Sequence, residues 1–384
     1  MAGVSTRKHG STWQYYFEGA KIGNERQRIS KGGFKTKKEA EIAGNRAYVE
    51  YTDFGQITRN TNMSVHDFIS LWFDAYCKSN VKFTTADTYM YNSHIVDNYL
   101  GRYRLSAVSS IICQQFYNDI SSKYSKSSAN VIYSVSNSIF DYAKNMGYIK
   151  LNPFERVEVP KYYAKDKKTA TIYTREEIEE LLKIHSTGKI NITLTIAYHT
   201  GMRLGEILAL TWDDIDLNNK IVHITKQTKR KNKNYIFTSP KRNSSRDIYI
   251  DDTFIAYLKQ LKQQQDTEKI NANYNRYYLA SGDIITQQQT DKEIDFVVRS
   301  KNGLMVKQEC VQQTLYYCAK DGKPIFNHHD IRHSHCTILI ENGADIKYVQ
   351  QRLGHKSVNV TLDIYTHLTQ KSKNKNDTML NHLF

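Results

Sequence analysis

No stretch of this 384-residue sequence approaches the roughly 20 consecutive apolar residues that a membrane-spanning helix needs, and Met1 to Arg7 leads into no apolar signal-peptide core. A compact basic helix with a Trp/Leu face, which would lie on an anionic membrane, is missing too. The protein is expected in the cytoplasm, with no membrane partner. Disulfide and zinc frameworks also lack support: Cys77, Cys113, Cys310, Cys318 and Cys336 are odd in number, scattered, and form no C-x-x-C pair. They read as reduced, mostly buried thiols. Acidic residues are in deficit, 39 Asp plus Glu against 54 Lys plus Arg, for a net charge of +15. A surplus of that size points to a polyanionic partner, nucleic acid before any other. With 40 % hydrophobic residues the chain can bury more than one core, and two or three domains are expected.

Residues 1–60 read as a small α+β module. Trp13 to Phe17 and Arg26 to Ser30 are strands, Gly32-Gly33 is a turn, and Thr36 can cap a helix from Lys37 to about Tyr51. Eleven Lys/Arg face six acids there, so Arg26, Arg28, Lys31 and Lys35 are candidate DNA contacts. The competing reading is that Trp13, Tyr15 and Phe17 merely cover the helix. Ile57 to Asn62 is a linker, and residues 63–160 are helical: Val65 to Phe73, Thr85 to Tyr99, Ile111 to Tyr124 and Ser128 to Met146. Phe116, Tyr117, Tyr133, Phe140 and Tyr142 there are core residues rather than stacking platforms. Tyr162 to Lys168 is a second linker. Beyond it, Thr174 and Glu177 make a capping box, Ile190 to Tyr198 is a helix, and Ile221–Thr225, Tyr235–Thr238 and Asp247–Ile250 are strands. From Lys226 to Arg246 there are eight basic residues and no acid, which suits a phosphate backbone; Lys229, Arg230, Lys231, Lys233 and Arg242 are further candidate DNA contacts. The Gln-, Asn- and Thr-rich stretch 266–295 reads as an insertion or a loop between helices, with no chemistry.

The chemistry gathers near the C-terminus. Ile331, His335, Ile338 and Leu339 recur at helical spacing, which puts His329, Arg332 and His333 on another flank of the same helix. Gly343 ends that helix, Asp345 caps the next, and Gly354 ends it before His355; Ser357 can start a third, running to Tyr365. Upstream, Thr200 to Glu206 supplies Arg203, and Ser239 to Arg246 supplies Lys241 on a tight turn. An arginine fork holds two oxygens of an anion, histidine moves a proton near neutral pH, and a tyrosine can attack as a nucleophile. Singly, each residue has a bland reading. Arg203 with Glu206 could be an exposed ion pair worth ~0.5 kcal/mol, Lys241 a turn lysine, and Tyr365 one tyrosine among 28. A zinc site built on His329, His333 and His335 would lack ligands on one helix side, so no metal is expected.

At these residues the chain resembles the tyrosine recombinase (phage integrase) family, whose catalytic domain carries Arg, Lys, His-x-x-Arg, His or Trp, and Tyr in that order. The resemblance runs over about residues 170–370. It implies catalytic roles for Arg203, Lys241, His329, Arg332 and His355, with Tyr365 as nucleophile and Glu206 holding Arg203 in place. His329 rather than His328 stands three residues before Arg332. The implied fold is mainly α with small β-sheets: an arm-type DNA-binding domain over 1–60, a helical core-binding domain over 63–160, and a mixed α/β catalytic domain with its tail over 170–384. The implied activity is site-specific cutting and rejoining of double-stranded DNA through a 3′-phosphotyrosyl link, to integrate or excise a mobile element. No cofactor is needed, a homo-tetramer assembles on the attachment sites, and a host DNA-bending protein and an excision factor are possible helpers. The alternatives are a type IB topoisomerase-like enzyme and a catalytically silent DNA-binding regulator of the same fold. The apolar tip of the tail, Met379, Leu380, Leu383 and Phe384, could dock on a neighbouring subunit or on its own domain.

Overall fold

A computed structural model describes residues 3–19, 27–54, 63–161, 170–231, 233–359 and 361–362. Arg26, Tyr365, the two linkers and the tail beyond Leu362 lie outside the described residues. The chain divides into two compact units, Met1–Lys168 and Thr169–Phe384.

In the first unit, β1 (Ser5–His9), β2 (Thr12–Glu18) and β3 (Arg28–Phe34) make an antiparallel sheet in that order. Strand alternation sends Tyr15 and Phe17 inward, Phe17 meeting Tyr48 of α1 (Lys37–Phe54) edge-on at 5.3 Å. Tyr16 faces the other way, with the Arg28 guanidinium 4.6 Å and the Arg7 guanidinium 5.8 Å from its ring centre. Tyr15 and Phe17, though not Trp13, cover the helix, while the opposite face is basic and aromatic. Thr36 caps α1 by accepting from the Glu39 amide at 3.2 Å.

The bundle follows. Ser64 caps α2 (Val65–Trp72), which passes through a π-helical turn, Phe73–Cys77, into α3 (Lys78–Asn80). α4 (Phe83–Leu100), α5 (Ser110–Ser121) and α6 (Lys126–Asn145) complete it. Phe116, Tyr117 and Phe140 are buried beside Phe68 and Trp72, and Tyr133 and Tyr142 pack partly buried against them, as expected of core residues. Each such ring contributes about 1.5–3 kcal/mol on burial, so these aromatics hold the bundle together.

The second unit begins with α7 (Arg175–Ile184), closed by the Thr174–Glu177 capping box, then α8 (Gly188–Thr200) and the short α9 (Leu204–Ile207). β4 (Ile215–Asp216) and β5 (Ile221–Ile224) precede β6 (Gln227–Lys231), β7 (Asn234–Thr238), β8 (Arg246–Tyr249) and α10 (Asp252–Glu268). β9 (Tyr277–Ala280), β10 (Ile284–Thr286) and β11 (Glu293–Ile294) lead to α11 (Gln308–Lys320), α12 (His328–Glu341) and α13 (Ile346–Leu353). Two antiparallel sheets result, β4-β5-β8 and β11-β9-β10-β7-β6. The segment 266–295 is therefore not a loop. It ends α10 and supplies three strands to a sheet whose core is Phe237, Ile285, Ile294 and Phe296. Strands of two to four residues are too short to display a period among so many Gln and Thr residues.

The basic run 226–246 also needs correction. Lys226 pairs with Asp214 and Arg246 pairs with Glu206 at 2.9 Å, so two of its cations are neutralised inside the protein. Arg230, Lys231, Lys233, Lys241 and Arg242 are exposed on the β6–β7 hairpin and the turn before β8, and Lys229 is half-buried.

Candidate active site

Arg203 stands where α8 has ended and α9 begins. Gly201 ends α8 in the left-handed region at φ 65°, and a Cβ there would lie 2.6 Å from Leu353 and 2.7 Å from His335. Only glycine permits that approach. The Arg203 amide donates to Glu206 Oε2 at 3.0 Å, while its guanidinium donates to Glu206 Oε1 at 2.8 Å and to the Gly354 carbonyl at 3.1 Å. Glu206 is 1 % exposed, so the reading of an exposed ion pair fails. Burial alone would raise its carboxyl, but Arg246 and Arg203 outweigh it and hold the group below the ordinary carboxylate range.

Arg332, on α12, is buried at 1 % exposure. It donates to the Gly201 carbonyl at 2.7 Å and to the Leu353 carbonyl at 2.5 Å. Among the described residues no carboxylate hydrogen-bonds to it. Burial, then the neighbouring Arg203, lower its pKa to about 9. It remains a cation at neutral pH, held by neutral carbonyls and short of an anion.

The histidines of α12 fall into distinct settings. His329 opens onto a cleft that Arg203 and Lys241 also line, and its ring meets that of His333 edge-on at 4.5 Å. Partial removal from water, then Arg332, keep His329 below its ordinary value, so it is neutral and able to accept a proton. His328 lines the same cleft but is buried against Phe326, with its Nε2 unpartnered among the described residues, and burial pushes it down to about 4. His355 lies half-buried beyond Gly354, its Nδ1 3.0 Å from Thr361 Oγ1. Burial, then Arg332 and Arg203, lower it to about 3. Lys241 sits exposed on a turn whose next two residues, Arg242 and Asn243, are both left-handed at φ 65° and 53°. Lys241 lines the same cleft as Arg203 and His329.

Three of the six expected catalytic residues, Arg203, Lys241 and His329, thus line one open cleft; Arg332 and His355 lie behind its wall, within electrostatic reach of Arg203, and Tyr365 lies outside the described residues. Arg246 is a participant that sequence reasoning missed. It donates to Glu206 and, through Nε, to the Arg352 carbonyl at 2.6 Å. Its position within a run of basic residues disguised it as a surface cation. Arg352, His335 and Ser244 were missed as well; nothing in their spacing separates them from core or turn residues. Among the described residues no group of three His, Cys, Asp or Glu side chains is placed to hold a metal ion. The arrangement is suited to gripping a tetrahedral anion and moving protons around it.

Comparison with known proteins gives the same direction. Residues 172–372 match the phage integrase family, and residues 3–45 match the arm DNA-binding domain. A tyrosine recombinase XerC-like protein of Caldanaerobacter subterraneus subsp. tengcongensis is 28 % identical over 370 residues, covering 91 % of this chain and 90 % of the relative. The ICEBs1 integrase of Bacillus subtilis is 27 % identical, covering 81 % of this chain and 80 % of its own. Among solved structures, a Tn1549 transposon integrase in complex with a circular intermediate DNA superposes with a TM-score of 0.65 at 18 % identity, covering 83 % of this chain and 99 % of that one.

Proposed function

The chain belongs to the phage integrase family, and from that premise we propose that its cleft cuts and rejoins DNA at specific sites, with Tyr365 as nucleophile. It is a tyrosine recombinase enzyme acting on DNA, and its relatives include integrases of mobile elements. The observation that carries the assignment of residues is the buried Arg332, bound only to carbonyls among the described residues, beside an Arg203 that already shares Glu206 with Arg246. A scissile phosphate supplies an anion for Arg332, and its transition state, with more charge on the non-bridging oxygens, supplies a better one.

The Tyr365 oxygen attacks phosphorus in line, its proton passing to His329, while the bond from phosphorus to the 5′ oxygen breaks and Lys241 protonates that oxygen. Arg203, Arg332 and His355 hold the non-bridging oxygens; fixed cations neutralise charge that a divalent ion neutralises in other phosphoryl transfers, so the reaction calls on no cofactor. The products are a 3′-phosphotyrosyl link and a free 5′ hydroxyl. A second 5′ hydroxyl can attack that link and reseal the strand without an external energy source. Exchange between two duplexes takes four cuts, which calls for a tetramer on the attachment sites, and a host DNA-bending protein and an excision factor would set direction. A DNA-acting recombinase works where the chromosome lies, which in a bacterium is the cytoplasm.

The proposed organisation is an arm-type DNA-binding domain over 1–60, a core-binding bundle over 63–160 and the catalytic domain over 170–384. The basic, aromatic face of the first sheet, with Arg28, Lys31 and Lys35 exposed around it and Arg26 nearby in sequence, supports the first of these. The exposed cations of the β6–β7 hairpin suit a phosphate backbone near the cleft. A nicked duplex that loses its 5′ fragment on cleavage should trap a covalent protein–DNA adduct, absent in Tyr365→Phe. Relaxation of supercoiled plasmid without sequence preference would favour the topoisomerase-like reading, and binding with no adduct on any duplex would favour the silent regulator.

A further inference from the structure

The last turn of α13 carries three consecutive carbonyls, Arg352, Leu353 and Gly354, each taken by a different guanidinium. Arg246 Nε donates to the first at 2.6 Å, Arg332 Nη2 to the second at 2.5 Å, and Arg203 Nη2 to the third at 3.1 Å. A helix C-terminus leaves such carbonyls without amide partners and is the negative end of the helix dipole, so it holds cations without neutralising them. Each arginine is thus indexed to one step of a rack.

What holds the rack is the side chain of Arg352, which runs the other way. It donates to the Tyr249 carbonyl at 2.7 Å at the end of β8, to the His199 carbonyl at 3.0 Å near the end of α8, and through Nε to His335 Nε2 at 3.2 Å on α12. His335 in turn lies 2.7 Å from the Tyr198 carbonyl through Nδ1. A carbonyl can only accept and Arg352 Nε can only donate, so the imidazole must be neutral with its proton on Nδ1. We propose that the Arg352–His335 pair is a positioning unit: it ties the end of α13 to α8, α12 and β8, and so sets where Arg203 and Arg332 meet the scissile phosphate. The pair touches no reacting atom. This rests on the assignment of Arg203 and Arg332 given above.

The test compares two duplexes of one sequence, selected by the protein from a random pool and nicked beside the cleavage point. One carries the ordinary scissile phosphodiester and the other a methylphosphonate, in which a neutral methyl replaces a non-bridging oxygen. Arg352→Lys and His335→Phe should lower single-turnover cleavage of the phosphodiester by about tenfold or more, with DNA affinity nearly unchanged. They should also shrink the preference for phosphodiester over methylphosphonate by several fold, because displaced cations no longer read the missing charge. His335→Gln, whose amide oxygen can still accept from Arg352 Nε, should recover most of both. A general loss of folded protein would slow both duplexes equally, and an unchanged preference would overturn the proposal. Should both variants fail to fold, histidine nitrogen NMR of the wild-type chain decides: an Nδ1–H tautomer at His335 is required, and an Nε2–H tautomer or a cation rejects it. Adduct formation by the wild-type chain reports separately on the proposed function.

Discussion

Cations gather in two kinds of place in this molecule, and they are held in opposite ways. Around the cleft, Arg332 is fully buried, Arg246 is nearly so, and each is bound to carbonyl oxygens or to Glu206. On the β6–β7 hairpin and the open face of the first sheet, Arg230, Lys233 and Arg28 are exposed, Arg28 leaning on the Tyr16 ring. A buried cation costs free energy unless it is compensated, whereas an exposed one is screened by water and salt. Under the proposed function, the buried set is the one suited to discriminate between a ground state and a more highly charged transition state. The exposed set is the one suited to attract DNA at any point along its backbone.

The widest separation between the two should appear on removing Glu206, the anion that Arg203 and Arg246 share. Glu206→Gln leaves Arg203 and Arg246 without a charge partner, and the fold should lose about 3–5 kcal/mol, read as a fall in melting temperature. The sign with pH follows from the depressed carboxyl. The contribution of Glu206 is fully present above its ordinary 4.5 and is lost as pH falls through the lower folded value, so wild type and variant should converge in acid. Arg332→Lys comes next. A lysine reaches one carbonyl but cannot fork to the phosphate, so single-turnover cleavage should drop about 10²–10³-fold while DNA affinity barely moves. Equal losses in both would erase the distinction drawn above.

His328 tests the boundary of the buried set. Its folded value of about 4 lies below the ordinary 6.5, so the unfolded chain takes up a proton that the folded chain refuses. Stability should fall as pH drops from 6.5 toward 4, by on the order of 3 kcal/mol from this group. In His328→Phe that part of the acid slope should vanish with cleavage at neutral pH retained, whereas His329→Ala should lose cleavage. The reverse result would move the proton acceptor to His328.

How legible was this from the sequence? The caps and stops were plain: Thr174 with Glu177, Asp345 and Gly354 do in the structure what their residue types require. The six-residue motif was legible through the resemblance to the family, which supplies both the residue types and their order, and Arg203, Lys241 and His329 of it line the cleft. Two things were not. Strands as short as Ile284–Thr286 carry no period of their own and exist because Phe237 and Phe296 offer them a surface. Arg246 and Arg352 look like surface charge in one dimension, since nothing local tells that a carbonyl 106 residues away will take the Arg246 Nε–H. Long-range polar contacts of this sort are decided by the packing of helices, not by neighbours in sequence.

The smallest expected effect belongs to the exposed set, and its signature is salt rather than rate. Arg230→Ala with Lys233→Ala removes two exposed cations from the hairpin and leaves the guanidiniums around Glu206 in place. Removing a cation that neutralises one phosphate should reduce the slope of log affinity against log salt by about 0.9, so the binding deficit of the double variant relative to wild type should be larger at low salt than at high salt. Cleavage at saturating DNA should stay within about twofold, since the cleft that Arg203, Lys241 and His329 line is not lined by either side chain. A changed rate with an unchanged salt slope would put the hairpin among the groups that read the transition state, and exposure would no longer separate binding from catalysis in this protein.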